Sequence, residues 1–333
     1  MRGIFIKVVF GILAVFLIIF GYLFVGKAPK ASEIKWGVNF SQKHAEALGM
    51  DWKETYSALL DDMKVKNIKL TTYWDSIEKE KDNYDFSDLD WQIQKAEEKG
   101  ANLLLIIGMK TGRWPECNIP LWAKDLKKEE QQKEVLELLQ KIVEKNRERV
   151  SIFSWQVENE PLFPFGECPW RDKNFLKKEV ELVKSLDEKS RPIIISDSGE
   201  FSFWINAAKI GDTVGITMYE KTWFKELGIY VKYPLPPVFY WRKAQLVKKL
   251  FDKEVIVIEL QAEPWCRNLL YDCRPEEQEK TMNLEKFKEN IGFAERTGFR
   301  EFYLWGAEWW YWLKEKQNKP EIWDEAENIF KEI

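Results

Sequence analysis

From position 35 onward the chain alternates between two periods of hydrophobicity. Short runs rich in Val, Ile and Leu fall at 35–40, 68–72, 102–108, 150–157, 192–196, 213–218, 254–259 and 301–305. Each has strand length, and several lack the polar alternation of a strand with one wet face, as in the run Leu103-Leu104-Leu105-Ile106-Ile107. Longer stretches of helical spacing separate them. Val135, Leu136, Leu138, Leu139, Ile142 and Val143 form one apolar stripe among Glu and Lys, and Leu284, Phe287, Ile291 and Ala294 form another. A last helical stretch lies near 322–330. Eight strand-then-helix units with apolar strands predict a parallel sheet covered on both faces. The count fits a closed (β/α)8 TIM barrel. An open doubly wound sheet is the alternative, but no G-x-G-x-x-G follows the first strand.

The N-terminus is patterned differently. Residues 8–26, VVFGILAVFLIIFGYLFVG, carry no charge. At 1.5 Å per residue they reach roughly 30 Å, the thickness of a bilayer core. The expected organisation is a cytoplasmic N-terminus at 1–7, a transmembrane anchor at 8–26, a tether at 27–33 and a catalytic domain at 34–333. A cleaved signal peptide is the alternative. Arg2 and Lys7 favour the N-terminus inside, opposed by Lys27 and Lys30. The expected location is therefore a single-pass membrane protein with its barrel outside the cytoplasm.

Composition narrows the chemistry. With 51 basic against 55 acidic residues the net charge is −4, which argues against a nucleic-acid partner. The single His44 rules out multi-His metal sites and disfavours His relays, leaving carboxylates to carry protons. No metal or organic cofactor is expected. The 17 Trp exceed what a core needs, and flat sugar faces are one ligand that uses them.

In a barrel, chemistry sits at the C-terminal ends of the strands. The fourth strand ends in Glu158-Asn159-Glu160-Pro161, and the seventh reaches Glu259, with Glu263 beyond it. A carboxylate closing an apolar strand is costly unless paired or open to a cleft, so two such ends suggest a facing acid pair. Each Glu taken singly also fits a helix cap or a salt bridge.

These features resemble glycoside hydrolase clan A, the (β/α)8 retaining glycosidases. The resemblance rests on Trp155-x-x-x-Asn159-Glu160-Pro161, on Glu259, and on Tyr73-Trp74-x-x-Ile77-Glu78 with Tyr84-Asp85-Phe86-x-x-Leu89-Asp90. It implies Glu160 as general acid/base, Glu259 as nucleophile, and Asn159 as a ligand of the sugar 2-hydroxyl. Tyr219 would orient Glu259, and Trp305 would be a sugar platform. In such enzymes the two carboxyls lie about 5–5.5 Å apart, and the charged nucleophile raises the pKa of the acid. Glu158 rivals Glu160, since strict alternation puts both on one strand face. Glu263 rivals Glu259 more weakly.

Two positions depart from the clan pattern. Lys69 stands where many members have an Arg, and it offers a point charge in place of a bidentate fork. The stretch after the third strand, residues 108–114, has no His, so Lys110 or Arg113 is expected to take over substrate contacts. His44 reads as a solvated loop residue or a sugar contact. Among Trp114, Trp122, Trp170, Trp204, Trp223, Trp265, Trp309, Trp310 and Trp312, the first choices for lining the cleft besides Trp305 are Trp265 and Trp114. Proximity pairs Cys117 with Cys168 and Cys266 with Cys273, and a zinc site is the alternative.

The resulting expectation is a monomeric retaining hydrolase of β-linked oligo- or polysaccharides. A non-catalytic glycan-binding barrel and a transglycosylase using the same carboxylates are the alternatives.

Overall fold

In the computed structural model, which describes residues 2–225 and 227–331 with side chains from Val9 onward, ten strands form. They are β1 (Lys35–Phe40), β2 (Asn67–Thr71), β3 (Asn102–Ile107), β4 (Ile152–Val157) and β5 (Ile193–Asp197). β6 (Thr213–Met218), β7 (Lys221–Phe224), β8 (Ile229–Lys232), β9 (Glu254–Gln261) and β10 (Glu301–Trp305) follow. Eight of them close into a parallel barrel in the order β1-β10-β9-β6-β5-β4-β3-β2. The eight expected runs are these eight strands, within two residues at every end.

The run of Leu and Ile in β3 has a simple cause. Leu104 and Ile106 point inward and pack with Ile194, Ile258 and Tyr303 in the barrel interior. Leu103, Leu105 and Ile107 point outward and join the larger core under the helices. Both faces are dry, so neither asks for a polar residue. The helix Lys128–Asn146 covers this side with Val135, Leu138, Leu139, Ile142 and Val143 buried. Each such side chain contributes about 2 kcal/mol on leaving water.

Two features were not foreseen. A helix was expected directly after the sixth strand, but the antiparallel hairpin β7-β8 comes first. The seventh barrel strand, β9, also runs two residues past Glu259, so that Glu259 lies within a strand.

The N-terminal expectation needs correction. A helix does form at Arg2–Phe24, but it stops short of 26. Among the described residues no helix is long and apolar enough to cross a membrane. The end of this helix docks on the helix Pro237–Phe251, with Phe24 5.2 Å from Phe239 and Arg242 over the Tyr22 ring at 4.8 Å.

Candidate active site

Glu259 reaches the barrel mouth by an irregularity. Ile258 already points inward, and regular alternation would send Glu259 outward. Between the pairings Ile216↔Val257 and Thr217↔Glu259 the register slips by one residue, and the β10 side of β9 shows a slip as well. An extra residue of this kind re-aims the side chain that follows it. Glu259 thereby meets Lys69 of β2, whose Nζ donates to Oε1 at 2.8 Å, and Tyr219, whose hydroxyl donates to Oε2 at 2.9 Å. Burial pulls the Lys69 ammonium below its ordinary pKa, against the opposing pull of Glu259. Burial and then Glu259 push the Tyr219 hydroxyl well up, so it stays a donor.

Glu160 follows the end of β4. Its N–H donates to Ser196 Oγ at 2.7 Å, and Lys110 Nζ donates to its carbonyl oxygen at 2.9 Å. The Thr217 hydroxyl approaches Oε1 at 3.5 Å. Burial first, and Glu259 second, raise its carboxyl well above the ordinary range, with Glu116 and Glu200 adding to the effect and Lys110 opposing it. Glu160 therefore carries a proton where an exposed Glu does not.

Glu158 and Glu160 do not share a face. The strand ends at Val157, and both glutamates adopt left-handed backbone, with φ 60° and 42°. Alternation fails with the extended conformation it depends on. Glu158 turns toward β3, where it accepts from the backbone N–H of Met109 at 2.8 Å and of Lys110. Buried Glu179, raised well above its ordinary pKa by burial and then by Glu158, completes that structural clamp.

Glu263 is likewise engaged elsewhere. It bonds Arg113, which also donates to Glu308 at 3.1 Å, and it lies 3.3 Å from His44 Nε2. Burial disfavours its charge, but Arg113 and then His44 outweigh that and hold it at about 2. His44, Glu263 and Glu308 are close enough to share a cation, and the Arg113 guanidinium supplies that positive charge. His44 is buried, contrary to a solvated loop position.

Other carboxylates entered the site unannounced by spacing. Glu116, after β3, accepts from Asn159 Nδ2 at 3.4 Å and lies 3.9 Å from Lys110. Glu200, after β5, accepts from the Tyr219 N–H and the Tyr240 hydroxyl. Burial raises each to about 7, Lys110 limiting the first and these hydrogen bonds the second. The only sequence mark of Glu116 was its neighbour Cys117.

The tryptophans divide sharply. Trp155 is fully buried and donates to Asp187, so it packs the barrel wall. Trp204, Trp309 and Trp310 are core residues, and Trp122 and Trp170 spend their N–H groups on Glu78 and Gln131. Trp223 packs on Tyr230 of the hairpin, and Trp312 is half-buried against the core. Trp305 is mostly buried, with the Arg113 guanidinium 4.0 Å from its ring centre. From Tyr219 an aromatic chain leads outward through Trp265 (5.1 Å) and Phe165 (5.8 Å) to Trp114 (6.1 Å), which is 48% exposed. Disulfides Cys117–Cys168 and Cys266–Cys273 tie the loops that carry these rings.

No protein-family model and no curated protein sequence matches this chain. Solved structures do. A GH5_18 protein of Bifidobacterium longum subsp. longum, in complex with Manβ1-4GlcNAc, has a TM-score of 0.59 at 12% identity, covering 82% of this chain and 68% of that one. Xylanase 10B of Thermotoga maritima gives 0.57 at 15% identity, over 90% and 97%. Xylanase 10B of Thermotoga petrophila, bound to xylobiose, gives 0.53 at 15%, over 82% of each chain. The chain thus shares the (β/α)8 fold of GH5 and GH10 glycoside hydrolases.

Proposed function

We propose that this protein is a retaining glycoside hydrolase of β-linked glycans, with Glu259 as nucleophile and Glu160 as general acid/base. The observation that carries the reading is the unequal treatment of two carboxyls at one barrel mouth. Glu259 receives hydrogen bonds from Lys69 and Tyr219, which favour a carboxylate. Glu160 is pushed toward its protonated form by burial and by Glu259 itself. This difference in surroundings supports Glu160 as the acid and Glu259 as the nucleophile.

In the first step a Glu259 oxygen bonds to the anomeric carbon as the glycosidic C–O bond breaks, and the Glu160 proton goes to the leaving oxygen. Glu160 is then a carboxylate and accepts a proton from water, whose oxygen displaces Glu259. Asn159 holds the group on carbon 2 in this reading. The chain Tyr219, Trp265, Phe165, Trp114 offers ring faces to further sugars.

We place the barrel outside the cytoplasm. Two disulfides and no free cysteine among the described residues suit an oxidising compartment. The side chains of Phe10, Ile12, Phe16 and Ile18 are 61–70% exposed, so the first helix presents apolar surface for which a membrane is the fitting surroundings. Membrane-fraction partitioning before and after removal of residues 1–26 tests this placement.

The chemistry is tested with a panel of 2-deoxy-2-fluoro-β-glycosides and intact mass spectrometry. A covalent adduct that maps to Glu259 and disappears in Glu259→Ala is expected. Inversion at the anomeric carbon, seen by proton NMR, would sink the retaining reading.

A further inference from the structure

Glu116 is a buried carboxylate that the two-step mechanism leaves unused, and the fold goes to some length to place it. Its backbone is left-handed, with φ 73°, a conformation that a side-chain-bearing residue holds only at a cost of about 1 kcal/mol or more. Cys117 beside it is tied to the β4 loop through Cys168. In that loop a Cβ on Gly166 would come within 2.5 Å of Glu116 Cβ, so the absence of a side chain there makes the room.

Glu116 faces the side-chain amide of Asn159. Asn159 Oδ1 already accepts from Gln156 Nε2 at 3.0 Å, which fixes the amide orientation. Asn159 Nδ2 then points one hydrogen at Glu116 Oε2, at 3.4 Å, and keeps a second one free. A Cβ on Gly112 would lie 3.7 Å from both Asn159 Nδ2 and the Trp305 ring, so amide and indole border one small space. Glu116 has acceptor capacity left after Asn159. The pair thus presents one donor and one acceptor side by side.

We infer that Glu116 is a specificity-determining residue that, with Asn159, reads the substituent on carbon 2 of the sugar and selects a free hydroxyl. A hydroxyl accepts from Asn159 and donates to Glu116 through one oxygen. A deoxy carbon does neither, and an acetamido group puts its donor and acceptor on separate atoms. The inference rests on the glycosidase reading above, in which Asn159 meets carbon 2.

The test uses the full chain and 4-nitrophenyl β-D-glucoside, galactoside, mannoside and xyloside, each with its 2-deoxy and 2-acetamido counterparts. Glu116→Ala should lower kcat/KM for the best hydroxy substrate by roughly 10- to 100-fold and for its deoxy counterpart by less than about threefold. Equal losses on both overturn the inference. A second readout needs no variant. The charged groups around Glu116 are Lys110 after β3, Lys69 on β2, Glu259 on β9 and Glu160 after β4. Whatever these groups contribute acts on both substrates and cancels in the ratio of the two rates. That ratio should fall as pH drops through about 7, where Glu116 gains its proton, and a constant ratio counts against it. A best rate on the acetamido substrate also overturns it. Turnover that survives Glu259→Ala, or none from any glycoside, defeats the glycosidase reading and this inference together. Turnover that needs Glu259, with equal losses in Glu116→Ala, defeats this inference alone.

Discussion

Lys69 Nζ lies 2.8 Å from Glu259 Oε1, and both side chains are shut away from solvent at the centre of the barrel mouth. A single ammonium donor here neutralises one carboxylate oxygen and leaves the other to Tyr219. The division frees neither oxygen from a partner, yet it holds the carboxylate at two points from two strands.

Lys69→Met should therefore be costly. Breaking a buried pair from one side typically loses 3–5 kcal/mol, because the remaining charge keeps its desolvation cost without compensation. The expected result is a lower midpoint in urea unfolding together with a lower kcat. An unchanged midpoint would show that solvent reaches Glu259 more easily than its burial indicates.

Tyr219→Phe removes one donor from Glu259 and little volume. A hydrogen bond to a charged group is worth about 1.5–3 kcal/mol, which corresponds to roughly a 10- to 100-fold loss. That loss should appear in kcat for the glycosyl-enzyme step, measured by pre-steady-state release of the aryl group. Stability should change little in comparison with Lys69→Met.

Stability should also fall toward alkaline pH. Glu116 and Glu200 sit at about 7 in the folded chain, raised by burial from ordinary values near 4.5. For a carboxyl with a raised folded pKa, the linked stability is fully present below the unfolded value and is lost as pH rises through the folded one. Between about pH 5 and 8 the Tm should drop by roughly 5–10 °C. Glu263 acts oppositely, since its folded value of about 2 gives stability present above 4.5 and lost only as pH falls through about 2. Differential scanning calorimetry from pH 2 to 9 reads the alkaline loss and the acid loss, and the alkaline loss should shrink in Glu200→Gln.

The two disulfides should differ in weight. Cys117–Cys168 closes a separation of 51 residues and Cys266–Cys273 one of 7. Loop-closure entropy gives about 4 kcal/mol for the first and about 2 kcal/mol for the second. Paired Cys→Ser variants compared by thermal denaturation test the order. Loss of the first pair should also weaken the 2-hydroxyl preference, because it releases the loop that carries Glu116.

The sequence by itself determined the eight-unit barrel, the end of the fourth strand that carries Glu160, the seventh strand that carries Glu259, and the loops that carry the cysteine pairs. These were legible because period, run length and the place where an apolar strand turns polar are local properties. Only the tertiary structure decided which partners each carboxylate meets. Alternation equated Glu158 with Glu160, but left-handed backbone at both residues turned one into a clamp on β3. In β9 the irregularity, and not regular alternation from inward-facing Ile258, turns Glu259 toward Lys69 and Tyr219. Glu116, Glu200 and the cluster of His44, Arg113, Glu263 and Glu308 left no mark in spacing. Each is held by partners from other loops, and its charge state follows from burial that exists only once the barrel has closed.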